Sequence, residues 1–402
     1  MIEKNENTKV TVVDSMMGSG KTSWAINYIN QHEDENILYI TPYNTETERI
    51  RDSVHREVKL PAHKGDGKLG DILKLLENEE DISATHTLFS MLTDEHKEAI
   101  DRGSYTLFID ETVEAVAPYE LANSDDIQFL LDKGSIEIDS DGVIHWIDQD
   151  YDTRLNPIKI LAKNHALFQV NKKILIYQYP PDIFKLFTKV YVLTYMFGSS
   201  TMKYYFDLAK IEYDLKSVKR VNDEYRLVDY YEASRENIKE KIHIYNNPDL
   251  NEIFPQKITS FSSTWYKNPD NRSKITKLQR ATYNYFHNRC KAKTGETMWT
   301  TFKTFKSKLK GKGYTNSFVP LNCRATNDYA QSKFLVYPVN VYPNVGVSQF
   351  FSQRGLKIDD NNYALSELVQ WIFRSAIRNG EDIHIYLPSK RMRGLLENWL
   401  ET

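Results

Sequence analysis

The sequence predicts an α/β protein whose 402 residues form two lobes, each built around a parallel β-sheet. Short apolar runs typical of buried strands alternate with helical patterns through both halves of the chain. Each half also carries its own set of polar motifs, placed where those apolar runs end. The chain is long enough for two domains with well-buried cores, so we expect one lobe in each half.

Composition is that of a globular protein, with 41% hydrophobic and 27% charged residues and a formal net charge of −3. An acidic segment (residues 111–152) holds twelve Asp or Glu against one Lys, and a basic segment (residues 271–313) holds twelve Lys or Arg against one Glu. The two cysteines, Cys290 and Cys323, are too few for a disulfide framework or a zinc site. No apolar run is long enough to span a membrane, so we expect a cytoplasmic protein without membrane contact.

Residues 9–23 form the most informative stretch of the chain. A β-branched run at 10–13 predicts a strand, a glycine-bearing turn follows at 15–20, and residues 24–29 predict a helix. A strand, a glycine loop, Lys-Thr and a helix in this order form the context that a phosphate-binding loop requires. We expect nucleotide contacts from Met17, Gly18, Ser19, Gly20, Lys21, Thr22 and Ser23. The alternative is a glycine-rich turn with an accidental Lys-Thr pair.

The residue types in this loop match the chemistry of phosphate binding. Gly18 and Gly20 let backbone N–H groups approach phosphate oxygens closely, and the helix that follows directs its positive dipole end at the same anion. Lys21 is expected to reach the β- and γ-phosphates, and the Thr22 hydroxyl to contact Mg²⁺. Ser15 stands where the usual pattern has glycine, a departure that favours helicase-type loops.

A second half of the nucleotide site is predicted about 90 residues later. The apolar run at 105–109 indicates a buried strand, and Asp110 and Glu111 follow it directly. A carboxylate at the end of a strand next to the phosphate loop can hold Mg²⁺, and a neighbouring glutamate can polarise the attacking water. We therefore expect Asp110 to bind the metal and Glu111 to act as the base. The polar turn at 195–200, after another apolar run, is typical of turns that sense the phosphate state.

Polar residues also interrupt or end two other apolar runs. Thr41 and Pro42 follow one run, and Thr85 and His86 lie within the run at 82–89. A strand that ends in Thr-Pro and turns into a helix can direct a hydroxyl and free N–H groups at a sugar-phosphate backbone. The alternative for Thr41 and Pro42 is a plain strand-to-helix turn with proline near the helix start. His86 by itself is more typical of a structural histidine than of a ligand.

Five of these motifs, GSGKT, ITP, SATHTLF, IDET and LTYMFGSS, occur in the order found in the first lobe of superfamily 2 helicases. The resemblance covers most of residues 9–200 and is strongest to compact DEAD/DEAH-type helicases encoded by bacteriophages. It implies two RecA-like lobes of the P-loop NTPase class, ATP and Mg²⁺ as cofactors, and nucleic-acid contacts from the ITP and SATHTLF motifs. The adenine-recognition motif of DEAD-box helicases is not expected, because only a short polar tail precedes the glycine loop.

The second half contains segments similar to later helicase motifs. The run at 257–263 predicts a strand that ends in serines, and the resemblance implies that Ser262 contacts the nucleic-acid backbone. The segment 322–329 resembles a loop that contacts nucleic acid and the nucleotide pocket together, which implies roles for Arg324 and Thr326.

The segment 368–380 resembles the closing motif of the family. A continuous helix would put Gln370, Arg374 and Arg378 on one face, from which an arginine could reach the γ-phosphate as an arginine finger. The arginines are four residues apart where the family usually has three, which leaves open which of them has this role. The alternative is a basic amphipathic helix.

The two charged segments allow two interpretations each. In the basic segment, aromatic residues between the cations could stack on the bases of a single strand whose phosphates bind Lys and Arg. An amphipathic helix pair with a solvated basic face and an aromatic core would give the same pattern. The acidic segment is expected to be a hairpin insertion or solvated surface excursion that does not touch nucleic acid.

We therefore expect an N-terminal ATP-binding lobe at 1–225, with an acidic insertion at about 115–170, and a C-terminal lobe at 226–402. The predicted function is an ATP-dependent helicase or translocase in phage DNA replication or recombination, with ATP between the lobes. DNA is favoured over RNA, and replication or recombination proteins are expected partners. Alternatives are a phage packaging motor, a thymidine-kinase-like nucleotide kinase, and a nucleotide-gated interaction protein that does not unwind.

Overall fold

A computed structural model describes residues 9–65, 67–121, 123, 125–148, 155–321 and 328–402. Within these ranges the chain forms two compact units. The first comprises the described residues up to Tyr231 together with Asn344–Ile358, and the second comprises Glu232–Pro343 and Asp359–Thr402. The chain therefore leaves the first unit after Tyr231, returns to it for fifteen residues, and then completes the second unit.

Strands and helices alternate along both units. The strands are β1 Lys9–Asp14, β2 Ile37–Thr41, β3 Ile82–Thr85, β4 Thr106–Asp110, β5 Val116–Pro118, β6 Ile136–Ile138, β7 Ile144–Trp146, β8 Leu167–Val170, β9 Ile174–Gln178, β10 Lys189–Thr194, β11 Asp214–Val221, β12 Glu224–Asp229, β13 Ile242–Ile244, β14 Thr297–Trp299, β15 Phe334–Val336 and β16 Ile383–Tyr386. The helices are α1 Lys21–Gln31, α2 Asn44–Ser53, α3 Gly67–Glu77, α4 His86–Phe89, α5 Asp94–Arg102, α6 Asp126–Asp132, α7 Asn156–Lys163, α8 Thr201–Ala209, α9 Glu236–Lys239, α10 Pro248–Asn251, α11 Ser263–Lys267, α12 Arg272–Asn284, α13 Lys306–Leu309, α14 Val345–Gln353, α15 Asp360–Ile372 and α16 Lys390–Glu401.

The first unit is organised around a seven-stranded sheet in the order β12-β11-β1-β10-β4-β2-β3. All neighbouring strands are parallel except the β11–β12 hairpin. Five of the six residues of β1 and all five of β2 are buried, as expected for near-continuous apolar strands inside a parallel sheet. Since parallel strands end at the same edge, the segments that follow β1, β10, β4, β2 and β3 meet there.

The region between β4 and β10 forms a small layer with its own core. The hairpin β6–β7 is antiparallel, and β5, β9 and β8 form a separate three-stranded antiparallel sheet. A cluster that includes Ile127, Leu130, Ile158 and Leu167 buries the apolar faces of α6, α7 and these strands. The predicted hairpin is thus present, but it is one part of a larger packed subdomain.

Helix α14 packs against this subdomain, although it follows the second unit's β15 in sequence. A Cβ atom on Gly346 would lie 2.6 Å from the Ile174 side chain, so glycine permits the close approach of α14 to β9. At its other end, the Arg354 guanidinium lies 3.9 Å from the Phe350 ring centroid and 5.0 Å from that of Phe168. Residues 344–358 are therefore bound to the first unit by packing at both ends of the helix.

The second unit contains a four-stranded, fully parallel sheet in the order β13-β16-β15-β14. Large aromatic residues such as Trp299, Trp371 and Tyr386 are completely buried in its core. The predicted α/β class with two parallel central sheets is confirmed. In the described part of the chain, no helix has both the length and the apolar character needed to cross a membrane.

The predicted strand at 257–263 is wrong. The segment is a series of turns followed by α11, because side chains take the hydrogen bonds that a sheet would use. The Ser260 hydroxyl accepts from the Lys257 amide at 2.9 Å, and the Asn340 amide donates to the carbonyls of Ile258 and Ser260 at 2.7 and 3.2 Å. Phe261 has φ 66°, which no strand residue adopts.

The predicted continuous helix at 368–380 is also wrong, because α15 ends at Ile372. The Ser375 hydroxyl donates to the Ile372 carbonyl at 2.6 Å, and the Ala376 N–H donates to Ser332 instead of to a helix carbonyl. Serine competes in this way with the helix ladder, and Ser375 takes an extended backbone conformation. A short 3₁₀ turn, Ala376–Asn379, follows.

A buried histidine ties α5 to α3 in the first unit. His96 is 3% exposed, and its Nε2 lies 2.9 Å from the Leu69 carbonyl, so Nε2 must donate. Its Nδ1 then accepts from the Thr93 hydroxyl at 2.7 Å and from the Thr93 N–H at 3.3 Å. Protonation of Nδ1 would place an N–H donor opposite the Thr93 hydroxyl and the Thr93 N–H, which are themselves the donors of these two hydrogen bonds. Burial lowers the pKa of His96 in addition.

We expect the free energy of unfolding to fall as the pH is lowered from 7.5 to 5.5. The unfolded imidazole binds a proton near its ordinary pKa, whereas the folded state excludes that proton, so the stabilisation is present above the ordinary pKa and lost below it. Urea denaturation of wild type and His96→Gln at both pH values tests this. His96→Gln should reduce the pH dependence, and the same substitution at the exposed His63 should leave it unchanged. Equal pH dependence in all three proteins would contradict the assignment.

Candidate functional site

The glycine loop between β1 and α1 is fixed to the sheet on both sides. The Ser15 N–H donates to the Thr194 carbonyl at 3.0 Å, and the Ser15 hydroxyl accepts from the Val218 N–H at 2.8 Å. Glycine at position 15 could not make the second hydrogen bond. The departure from the usual pattern at Ser15 therefore attaches the start of the loop to β11.

Two glycines give the loop its curvature. Gly18 and Gly20 have φ values of 80° and 95°, a region that other L-residues rarely adopt. Gly20 is the N-cap of α1, and its carbonyl accepts from the Trp24 N–H at 2.8 Å. The first N–H groups of α1 are left for an anion, as at other helix N-termini that follow glycine loops.

The Lys21 ammonium lies inside the loop. It donates to the Ser15 carbonyl, and to the Met16 carbonyl at 3.0 Å. The loop carbonyls thus hold the cationic group beside the N-terminus of α1. Met17 and Ser19 lie in the same turn and are partly exposed, and Ser23 is exposed on the first turn of the helix.

The predicted acidic residue Asp110 lies next to this loop. The Thr22 hydroxyl donates to Asp110 Oδ2 at 3.4 Å, and the Tyr39 hydroxyl donates to the same oxygen at 3.0 Å. Burial, together with the charge of Glu111, raises the pKa of Asp110 to about 6. Two oxygen ligands of the kind that Mg²⁺ prefers therefore converge at the N-terminus of α1.

Glu111 adopts a left-handed backbone conformation, with φ 63°. Its N–H continues the β4–β10 ladder by donating to the Leu193 carbonyl at 2.9 Å. This conformation directs the chain sharply away from the sheet immediately after Asp110. Non-glycine residues in this region store strain, and such residues are concentrated at functional sites.

Sequence reasoning missed Asp14, the last residue of β1. Its two carboxylate oxygens accept the N–H groups of Met196 and Phe197 at 2.9 and 2.8 Å. These amides begin the polar turn after β10, and Ser200 then caps α8 by accepting from the Lys203 N–H at 3.2 Å. Asp14 thus connects the strand that leads into the glycine loop to the turn predicted to sense phosphate. The signal for Asp14 that the sequence does contain is a polar residue placed between an apolar run and a glycine loop.

In the first unit, the residues predicted to contact nucleic acid lie next to one another, but the hydroxyl groups of Thr41 and Thr85 already make hydrogen bonds within the protein. Thr41 and Thr85 are paired neighbours at the ends of β2 and β3. Thr41 is fully buried and donates to the Tyr43 carbonyl at 3.0 Å, while Thr85 caps α4. Pro42 and His86 follow them directly at the same sheet edge. A cleft of about 350 Å³ opens there, lined in part by Asn44, Thr47, Lys68, Ser83 and Thr85.

The described residues that were predicted from the second half lie on separate elements of the second unit. Ser262 is the N-cap of α11, and its hydroxyl accepts from the Trp265 N–H at 3.2 Å. Gln370 lies in α15 and donates to Ser366 at 3.0 Å, but Arg374 and Arg378 lie beyond the end of that helix. Arg374 is 7% exposed, whereas Arg378 is exposed on the 3₁₀ turn. Arg324 and Thr326 lie outside the described residues.

The basic segment has an aromatic core and a solvated cationic face. Tyr285, Phe286, Trp299 and Phe305 are buried, so they are not available to stack on bases. The side-chain amide of Gln279 on α12 donates to the Lys310 carbonyl at 2.9 Å, which joins α12 to the chain after α13. Eleven cations of the segment are exposed: Arg272, Lys277, Arg280, Arg289, Lys291, Lys293, Lys303, Lys306, Lys308, Lys310 and Lys312.

One relative, the SPbeta prophage-derived uncharacterized protein YonV of Bacillus subtilis (strain 168), is 40% identical over 412 residues, covering 98% of this chain and 99% of the relative. The chain belongs to the YonV family. The model of the YonV middle domain matches residues 116–177, which run from β5 into β9. The model of the YonV C-terminal Rossmann-like domain matches residues 236–400, which contain the sheet of the second unit.

Solved structures resemble this YonV family member only distantly. An apo XPD structure is 13% identical, with a TM-score of 0.49, and covers 98% of this chain and 96% of XPD. Xpd4 of S. tokodaii is 12% identical, with a TM-score of 0.49 and coverage of 98% and 94%. The DUF1998 helicase MrfA bound to DNA is 12% identical, with a TM-score of 0.36 and coverage of 98% and 46%. At these values the likenesses do not bear on activity.

Asp14→Asn is expected to lower the free energy of unfolding by about 1–3 kcal/mol, because an amide group would face a backbone N–H that is left without an acceptor. Chemical denaturation followed by circular dichroism measures this. Asp214→Asn, at an exposed aspartate on β11, serves as the matched control and should change stability by less than about 0.5 kcal/mol. Equal stability of the two variants would show that Asp14 does not hold the turn.

Proposed function

We propose that this chain is an ATP hydrolase of the helicase type, driven by nucleic acid. The observation that carries the proposal is the 3.4 Å contact between the Thr22 hydroxyl and the Asp110 carboxylate. This contact lies beside the N-terminus of α1 and the Lys21 ammonium group, both of which suit a polyphosphate. An anion site and a divalent-cation site at this spacing are what a nucleoside triphosphate with Mg²⁺ requires.

Each residue of the site has a distinct role in this proposal. The backbone N–H groups of Gly18, Gly20 and Lys21 cradle the phosphates, and Lys21 exchanges its loop carbonyls for phosphate oxygens. Thr22 and Asp110 hold Mg²⁺, which supplies charge neutralisation at the phosphates. Glu111 orients and deprotonates the attacking water. Asp14 transmits displacement of the loop to the turn after β10.

Nucleic acid is the proposed activator because the second unit exposes a dense cationic face. Within the described residues of the basic segment, Arg289 is the one cation with a salt bridge, to Asp249. Solvated lysines and arginines at this density favour a polyanion, and their contribution to binding a phosphate backbone is electrostatic. The prophage origin of the relative fits a role in phage DNA metabolism, with DNA as the favoured polymer.

A second candidate function is a nucleotide-gated nucleic-acid-binding protein that does not unwind. The observation in its favour is the end of α15 at Ile372, which removes Gln370, Arg374 and Arg378 from a common helical face. Hydrolysis would then switch binding on and off without moving a strand. The two functions differ in whether a nucleic acid accelerates hydrolysis.

Lys21→Ala is expected to lower ATP hydrolysis at least about 100-fold, because charge stabilisation at the transferred phosphate is lost. Steady-state hydrolysis would be measured with Mg²⁺ and with single-stranded DNA, double-stranded DNA, RNA or no polymer. Wild type should be stimulated, most strongly by one DNA form. Lys185→Ala, at an exposed lysine of the first unit, is the control and should behave as wild type. Hydrolysis that no polymer accelerates would favour the nucleotide-gated alternative.

Reversing three charges on the basic face, with Lys306→Glu, Lys308→Glu and Lys310→Glu combined, should weaken binding of single-stranded DNA at least about tenfold at low salt. The slope of log affinity against log salt concentration should become shallower by about 2, since three phosphate contacts are lost. Fluorescence anisotropy measures both. The same three-charge reversal at Lys239, Lys267 and Lys390, which are exposed elsewhere in the second unit, should cost less affinity. An equal loss in both variants would argue against a specific cationic face.

A further inference from the structure

A cleft of about 300 Å³ lies between α1 and β12 of the first unit. Its wall on α1 consists of Trp24, Asn27, Tyr28 and Gln31, which recur at helical spacing on one face. Its other wall is the start of β12, Glu224–Leu227. The volume is at the lower end of the range for small-molecule sites.

Tyr225 lines this cleft and also lies against the phosphate-binding loop. A Cβ atom on Gly20 would lie only 2.0 Å from Cε1 of the Tyr225 ring, so the ring rests directly on the backbone of the N-cap residue of α1. Tyr225 is half-buried and packs at the border of the core cluster that contains Trp24. An aromatic surface is thus fixed one residue from Lys21, at one end of the cleft.

Polar groups in the cleft suit the edge of a base. Asn27 and Gln31 present carboxamides on α1, and within the described residues neither side chain makes a hydrogen bond. A carboxamide can donate and accept at once, which matches the adjacent donor and acceptor that adenine presents. On β12, Glu224 and Arg226 are paired at 2.9 Å and lie near solvent.

We propose that this cleft binds the adenine base of the nucleotide, with the Tyr225 ring as its stacking surface and Asn27 as the residue that recognises the base edge. The inference rests on the proposed function, because it requires the triphosphate to occupy the glycine loop. Two features of this arrangement require glycine at position 20. Its φ of 95° is needed by the loop, and any side chain there would displace the stacking ring.

The test compares the binding of MgATP and of magnesium tripolyphosphate, which has the phosphates but no base, by isothermal titration calorimetry. Tyr225→Ala should weaken ATP binding about tenfold and leave tripolyphosphate binding unchanged, since base–aromatic stacking is lost and the loop is retained. Tyr225→Phe keeps the ring and should bind ATP as wild type does. Lys219→Ala, at an exposed position on β11 outside the cleft, is the control.

Asn27→Ala provides an independent test at a partly exposed helix position. It should reduce the preference for ATP over the other nucleoside triphosphates severalfold, again without effect on tripolyphosphate. Tripolyphosphate and ATP binding that fall together in Tyr225→Ala would mean that the ring only supports the loop, which overturns the inference. ATP affinity unchanged in both Tyr225→Ala and Asn27→Ala overturns it as well. If wild type binds neither ATP nor tripolyphosphate, the proposed function itself fails.

Discussion

The alignment of β1, β10 and β4 is the constraint on which the candidate site depends. Asp14 pairs with Thr194, and Asp110 pairs with Leu193, so the three strands end within one residue of each other at the same edge of the sheet. A shift of one residue would turn Asp110 to the opposite face of the sheet and away from Thr22. The burial of β1, β10 and β4 makes such a shift costly, because it would expose one apolar face and bury polar groups in its place. Core packing therefore sets the distance between the glycine loop and the Asp110 carboxylate.

The two carboxylates at this edge of the sheet, Asp14 and Asp110, are stabilised differently. Asp14 accepts two backbone N–H groups, which compensate well for the loss of water around its charge. Asp110 has the hydroxyl groups of Tyr39 and Thr22, and the nearby charge of Glu111 opposes its ionisation. Burial, together with the charge of Glu111, raises the pKa of Asp110 to about 6. Asp14 is thus suited to hold structure, whereas Asp110 would gain from a cation, which is consistent with the roles proposed for them.

The glycine loop and the strands β1, β2, β4, β9 and β10 could be predicted because their signals are local, whereas the β11–β12 hairpin was not predicted. β-Branched and aromatic runs define buried strands, and the spacing of Gly18, Gly20 and Lys21 is contained in a few residues. The failures involve partners that are distant in sequence. Asn340 hydrogen-bonds the segment after Lys257 from about 80 residues away, and Tyr39 reaches Asp110 across 71 residues. No local pattern contains such pairs, so the turns at 257–263 and the support of Asp110 required the three-dimensional structure.

The backbone conformation of Glu111 bears on whether the polar residues at this edge of the sheet have a catalytic role or only a structural one. A left-handed conformation costs a residue with a side chain about 1 kcal/mol, and glycine or asparagine would adopt it more readily. The Glu111 N–H donates to the Leu193 carbonyl, so the left-handed turn directly follows the β4–β10 ladder. A glutamate at this point carries that conformational cost, and it places a second carboxyl group directly after Asp110. The cost of this conformation therefore supports the water-activating role proposed for Glu111, for which a carboxyl group is required.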